Sequence, residues 1–188
     1  MSSASFYIIR HAETIWNAQR RLQGRIDIEL SETGIEQCLA RRPDALKIEP
    51  DVICCSPLIR AKRSAELLFD VPETDFVIEP LFTERSFGRY EGWINSDVGP
   101  GILHRTNPLF DGEESYEVAE RFRRGLEKQA ELHPGQKIAV VSHGASILLF
   151  FRSISDRYGD YRLYPIANCS IHLVKYDAGR FSEPEEIL

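Results

Sequence analysis

The sequence has no run of 18 consecutive apolar residues, so a transmembrane helix is excluded. Before the apolar Phe6 to Ile9 stands only Met-Ser-Ser-Ala-Ser, without the basic region, apolar core and small-residue cleavage site of a secretory signal; the expectation is a cytoplasmic protein. A basic excess is missing too. The 29 Asp and Glu outnumber 23 Lys and Arg, and this formal charge of −6 argues against the clustered cationic surface that a nucleic-acid partner needs. Cysteine is scarce: Cys38, Cys54, Cys55 and Cys169 show no zinc-type spacing, the adjacent pair reads as small core hydrophobes, and a cytosolic setting disfavours disulfides. No His-x-His, His-Glu-x-x-His or EF-hand spacing occurs, so no metal and no cofactor is expected. His133, beside Pro134, reads as a helix end, and His172 as an outward strand position. Linkers, low-complexity segments and repeats are also absent, which at 188 residues implies a single domain over residues 1–188.

What is present alternates. Phe6 to Ile9, Val52 to Cys55, Ile138 to Val141 and Ile171 to Val174 are short and rich in β-branched residues, as buried strands are. Between them lie helix-like stretches from Ser31 toward Leu46, from Pro57 to Phe69, from about Glu114 to Leu132 with Pro134-Gly135 as the stop, and after Gly144. The pattern predicts an α/β fold, a three-layer α/β/α sandwich with a mainly parallel central sheet. The stretch 86–112, with five glycines and two prolines, is too irregular for a core element and reads as a lid or insertion over a site.

Two strand endings echo each other. Ile8-Ile9-Arg10-His11-Ala12 and Val140-Val141-Ser142-His143-Gly144 each end an apolar run with a polar residue, a histidine and a small residue. Ligands gather at the carboxyl ends of strands in open α/β sheets, so neighbouring strands would bring His11 and His143 together. Charge points the same way: residues 1–63 carry ten Lys and Arg against eight Asp and Glu, while residues 64–188 carry 13 against 21. Within that cationic third, Pro57 at a helix start leaves amides unpaired, and Arg60, one turn on, can face the same mouth as Arg10. Two planar guanidinium forks and two imidazoles suit a phosphoryl group. An imidazole among arginines stays neutral at pH 7 and is then a nucleophile toward phosphorus; Glu84, at the edge of the glycine-rich stretch, is the candidate proton donor to the leaving group.

The same residues carry a family resemblance. Arg10-His11-Ala12-Glu13-Thr14, Asn17, Gln23-Gly24, Asp27, Leu30-Ser31 and Gly34, then Ser56-Pro57-Leu58 with Arg60-Ala61, then Glu84 with Phe87-Gly88 and Glu91-Gly92, then Val141-Ser142-His143-Gly144, resemble the histidine phosphatase superfamily, the phosphoglycerate mutase-like family, over about residues 6–175. The resemblance implies a phosphohistidine on His11, a phosphate pocket completed by Arg10, Arg60 and His143, and Glu84 as acid. It further implies contacts from Asn17, Gln23, Gly24 and the Gly144 amide. Two positions depart from the mutases: Ala12 stands where they usually have Gly, which keeps the turn only if φ is negative, and Ala145 where they often carry a polar residue.

The chain is short for a mutase of this family, and its segment from Glu91 to Gly112 offers only His104 and Arg105 as grips on a second anionic group. Hydrolysis of a small phosphorylated metabolite is therefore expected over mutase activity. Two rivals are weaker. The Cys54 to Arg60 spacing matches cysteine-dependent phosphatases, but no glycine intervenes and Pro57 has no amide hydrogen for a cradle. A phosphate-binding module without catalysis would need neither nucleophile nor acid. The sequence leaves the oligomeric state open, a homodimer included.

Overall fold

In the computed structural model, which describes residues 2–99, 101–103, 106–159 and 165–188, the β-branched runs become strands of one sheet and the amphipathic stretches cover it. The long strands are β1 (Ser3–Arg10), β2 (Val52–Cys55), β4 (Lys137–Ser142) and β5 (Ile171–Asp177); β3 (Val77–Ile78), β6 (Arg180–Phe181) and β7 (Glu185–Glu186) are two-residue additions with no sequence signal. Their order is β3-β2-β4-β1-β5-β6, with β7 also on β5. β1 to β4 run parallel where they pair, and β5 runs antiparallel to β1. The fold is α/β with a mainly parallel sheet, as the alternation predicts.

Alternation along each strand feeds two cores. Phe6, Ile8, Cys54, Ile138 and Val140 face Phe122 and Leu126 of α4 (Ser115–Leu132) and Phe150 and Phe151 of α5 (Gly144–Ile154). Ile9, Cys55, Ala139 and Val141 face Cys38 and Ala45 of α2 (Glu32–Leu46) and Ala61 and Leu68 of α3 (Ile59–Phe69). Both faces of the sheet are thus covered, which is why its strands read as continuous apolar runs. Each fully buried Phe, Ile or Leu stabilises the fold by about 1.5–3 kcal/mol over the exposed state. A short helix, α1 (Ile15–Ala18), carries Asn17. Among the described residues no helix is long and apolar enough to cross a membrane.

Two expectations need correction. α3 begins at Ile59, and the amides near Pro57 are not free: Ile59 N donates to Asp27 Oδ1 at 2.8 Å and Leu58 N to Ser56 Oγ at 3.3 Å. This helix start holds Asp27 instead of offering amides to an anion. His172 does not face outward either; it is 1% exposed. It shares a face of β5 with Val174 and Tyr176, and α5 covers that face, so the ring packs edge-on against Phe151 at 5.1 Å. Burial pushes its pKa down to about 4. His133 is the C-cap of α4, as read.

The parallel register sets the site. Arg10 is level with Ser142, and Cys55 with Val141, so the residues that follow these strands emerge at one edge of the sheet. Those residues are His11, Ser56 and His143.

Candidate active site

The two echoing histidines meet. Their ring centroids lie 5.1 Å apart at 58°, both rings buried. His11 Nδ1 lies 2.6 Å from the carbonyl oxygen of Ala12, and the Ala12 amide is in turn held by Ser64 Oγ at 3.0 Å. Ala12 is not among the residues with positive φ, so the replacement of Gly preserves the turn. His143 Nε2 is 2.7 Å from Ser56 Oγ, and its Nδ1 is buried with no partner. Burial above all, then the charges of Arg60 and Arg10, hold the His11 pKa well below its usual value; burial, Arg60 and His11 do the same to His143.

Both arginines reach this place. Arg60 is fully buried and donates through Nη2 to Gly24 O at 2.7 Å and through Nη1 to Ile26 O at 2.9 Å. Gly24 has φ +57°, and a Cβ there would run into the Glu91 carboxylate, so glycine is required for this approach. Arg10 donates through Nη1 to Ile166 O at 2.6 Å. Burial lowers the pKa of both guanidinium groups, and Glu84 opposes the shift. In each, Nε is buried without a partner.

These groups floor a cavity of about 510 Å³. Arg10, His11, Asn17, Gln23, Gly24, Arg60, Glu84 and Gly144 line it, eight of the nine positions picked from sequence. The ninth, His143, is in ring contact with His11 and is not among the lining residues. Asn17 is fixed by a capping box, its Oδ1 accepting from Thr14 N at 3.2 Å, which leaves its Nδ2 as a donor. Leu22, Phe87, Val98, Leu103, Leu148 and Ile166 give the outer wall an apolar surface. Phe87, Asn95, Val98 and Leu103 come from the stretch 86–112. His104 and Arg105 lie outside the described residues.

Glu84 sits in residues 83–87, which form no helix or strand. Its Oε1 accepts from Arg85 N, Ser146 N and Ser146 Oγ at 2.8–3.0 Å, and its Oε2 from Ala145 N at 3.2 Å. The start of α5 therefore grips the carboxylate. Arg121 of α4 holds the same segment from behind, donating to the carbonyls of Leu81, Thr83 and Glu84 and pairing with Glu113. Sequence reading missed Arg121, Ser146 and Asn168, whose Nδ2 donates to His11 O at 2.8 Å. Arg121 is one of three arginines in its helix, and nothing local marks it. Ser56 gave a signal, in the Ser-Pro that follows β2.

A family model, the histidine phosphatase superfamily (branch 1), matches residues 6–184. A Bacillus subtilis protein named "uncharacterized phosphatase PhoE" is 33% identical over 148 residues, 79% of this chain and 76% of that one. "Probable phosphoglycerate mutase GpmB" of Cronobacter sakazakii is 34% identical over 186 residues, 90% of this chain and 84% of that one. Among solved structures, a phosphoserine phosphatase mutant of Entamoeba histolytica in complex with phosphoserine superposes with a TM-score of 0.81 at 23% identity, covering 98% of this chain and 95% of that one. A phosphoglycerate mutase of Bacillus anthracis superposes with a TM-score of 0.84 at 20% identity, covering 99% and 93%. The fold is shared with both, and the family match spans nearly the whole sequence: the chain belongs to the histidine phosphatase superfamily, branch 1.

Proposed function

We propose that the protein is a phosphomonoesterase that moves the phosphoryl group of a small ester onto His11 Nε2 and then to water. The hydrogen bond of His11 Nδ1 carries this reading. A carbonyl oxygen only accepts, so the neutral ring bears its proton on Nδ1 and keeps the Nε2 lone pair at the cavity floor. The depressed pKa leaves that lone pair free at pH 7.

Attack at phosphorus forms the N–P bond as the ester P–O bond breaks, and charge gathers on the equatorial oxygens. Arg10 and Arg60 would take those oxygens through donors that now have no partner. At 4 Å and an effective dielectric near 20, each such charge pair is worth on the order of 4 kcal/mol before desolvation. Ser56 Oγ accepts from Leu58 N and can donate its own proton to His143 Nε2; in that tautomer His143 Nδ1 is a further donor. Glu84 Oε2, with one bond against three on Oε1, is the oxygen that would carry a proton to the leaving alkoxide and later take one from the attacking water. Asn17, Gln23, Gly24 and the Gly144 amide are assigned to the phosphoryl group or the ester.

Hydrolysis is favoured over a mutase cycle by the wall. Among the described residues, Arg21 is its one cation besides Arg10 and Arg60, and Arg21 is already bonded to Gly92 O and Gln19 Oε1. Quenching in alkaline detergent during turnover of a ³²P-labelled aryl phosphate tests the proposal. An acid-labile, alkali-stable phosphoprotein that disappears in His11→Ala is expected, with steady release of phosphate. Binding without release would leave a regulatory module, and exchange between phosphoglycerates faster than hydrolysis would make the protein a mutase.

A further inference from the structure

Outside the phosphate pocket, a pair of cysteine side chains lies within reach of each other. Cys38 on α2 and Cys169, two residues before β5, are both free, with sulfurs 3.9 Å apart. Cys54 and Cys55 differ from them: as neighbours in β2 they point into opposite cores. A groove of about 400 Å³, lined by Gln37, Ala40, Arg41, Asn168 and Cys169, opens beside the second cysteine of the pair.

The chain around Cys169 supports the catalytic main chain. Cys169 N donates to Arg10 O at 3.0 Å, Asn168 Nδ2 donates to His11 O at 2.8 Å, and Arg10 N donates to Ser170 O at 3.3 Å. Cys169 holds φ +56°, a left-handed conformation that a side chain adopts only under constraint from its surroundings. On the other side, Cys38 Sγ touches Ser64 O at 4.0 Å, and Ser64 Oγ fixes Ala12 N. Both sulfurs therefore abut the shell that positions residues 10–12.

We propose that Cys38 and Cys169 form a dithiol modification site that peroxides close to a disulfide, and that closure slows turnover by drawing residues 168–170 off the main chain of Arg10 and His11. The hydrogen bond from Cys169 draws the Cys38 thiol below its ordinary range against the effect of burial, which favours a thiolate in the pair. One sulfur attacks a peroxide oxygen as thiolate; the S–O bond forms, the O–O bond breaks, and the departing hydroxide takes up a proton as water. The second sulfur attacks the sulfenic sulfur; the S–S bond forms and the S–O bond breaks, releasing a second water. Two thiols give up two electrons and two protons, and peroxide becomes two waters. Reaching a disulfide length of about 2.05 Å from 3.9 Å brings the sulfurs together by roughly 1.9 Å; Cys38 is held within α2, so closure pulls on the turn at 168–170.

The full chain is treated with hydrogen peroxide, alkylated and digested without reductant, and aryl phosphate turnover is followed in parallel. A Cys38–Cys169 linked peptide is expected, with at least a fivefold loss of turnover that dithiothreitol restores. Cys38→Ser and Cys169→Ser should each keep their own untreated rate after peroxide. Met1 is the one methionine, so sulfoxide formation at the site is no competing cause. Four alkylated thiols after treatment, a disulfide elsewhere, or a Cys38–Cys169 link that leaves turnover unchanged would each overturn the proposal. Peptide mapping needs no activity, so a failure of the phosphomonoesterase reading is told apart from a failure of this one.

Discussion

The floor and the outer wall of the cavity are built by different means. The floor comes from the carboxyl ends of β1, β2 and β4, whose parallel register fixes the levels of Arg10, His11, Ser56 and His143 to within a residue. The wall comes from loops: Phe87, Asn95, Val98 and Leu103 arrive from a stretch whose regular pieces, among the described residues, are single turns, anchored by a small cluster of Phe87, Tyr90 and Phe110. A sheet edge tolerates little displacement, since a shift of one residue turns each side chain to the other face. Loop walls tolerate much. Chemistry is thus expected to reside in the floor and choice of substrate in the wall.

The sharpest way to break that division is at the proposed nucleophile. His11→Ala should lower kcat by on the order of 10⁴ or more with the fold intact, as removal of a nucleophile does elsewhere; residual turnover within tenfold of the parent, measured with an aryl phosphate, would move the chemistry off the floor. Glu84→Gln comes next. It should cost about 10²–10⁴ in kcat for alkyl phosphates, and far less for p-nitrophenyl phosphate, whose leaving group needs no proton. Equal losses on both substrates would remove Glu84 as acid.

Acid pH probes the burial of the floor. His11, His143 and His172 are held neutral with pKa values below the ordinary 6.5, while the unfolded chain takes up protons near 6.5. Below that pH the unfolded state binds more protons. Stability is therefore full above about 6.5 and is lost as pH falls toward the folded values; His172 alone contributes about 3 kcal/mol between 6.5 and 4. Melting temperatures should fall from pH 7 to pH 5, and His172→Phe should flatten the slope; a flat profile in the parent refutes it. The smallest effect belongs to the wall: Phe87→Ala should shift kcat/KM by about tenfold between an apolar and a polar ester while phosphoprotein still forms. A comparable loss on both esters, tracking phosphoprotein formation, would place Phe87 with the floor.

The same division governs what the sequence made legible. Strand runs, helix stops and the paired Arg10-His11 and Ser142-His143 endings follow from local periodicity, and eight of nine chosen positions line the cavity. The misses need knowledge of what packs where. His172 looked outward because period-two alternation cannot tell that α5 covers its face. The start of α3 looked free because Asp27, 32 residues away, gives no local sign of capping it. Glu84 was found by its motif, yet its grip by the start of α5 rests on contacts 61 and 62 residues apart.

Arg121 has a further consequence. Its guanidinium binds three carbonyls of one short stretch of main chain, those of Leu81, Thr83 and Glu84, so the candidate acid hangs from α4 as from a bracket. Carbonyl oxygens are the same in every residue. The bracket fixes the path of the chain at 81–84 through main-chain atoms alone, so its hold on the carboxylate's position does not depend on the side chains at 81 and 83.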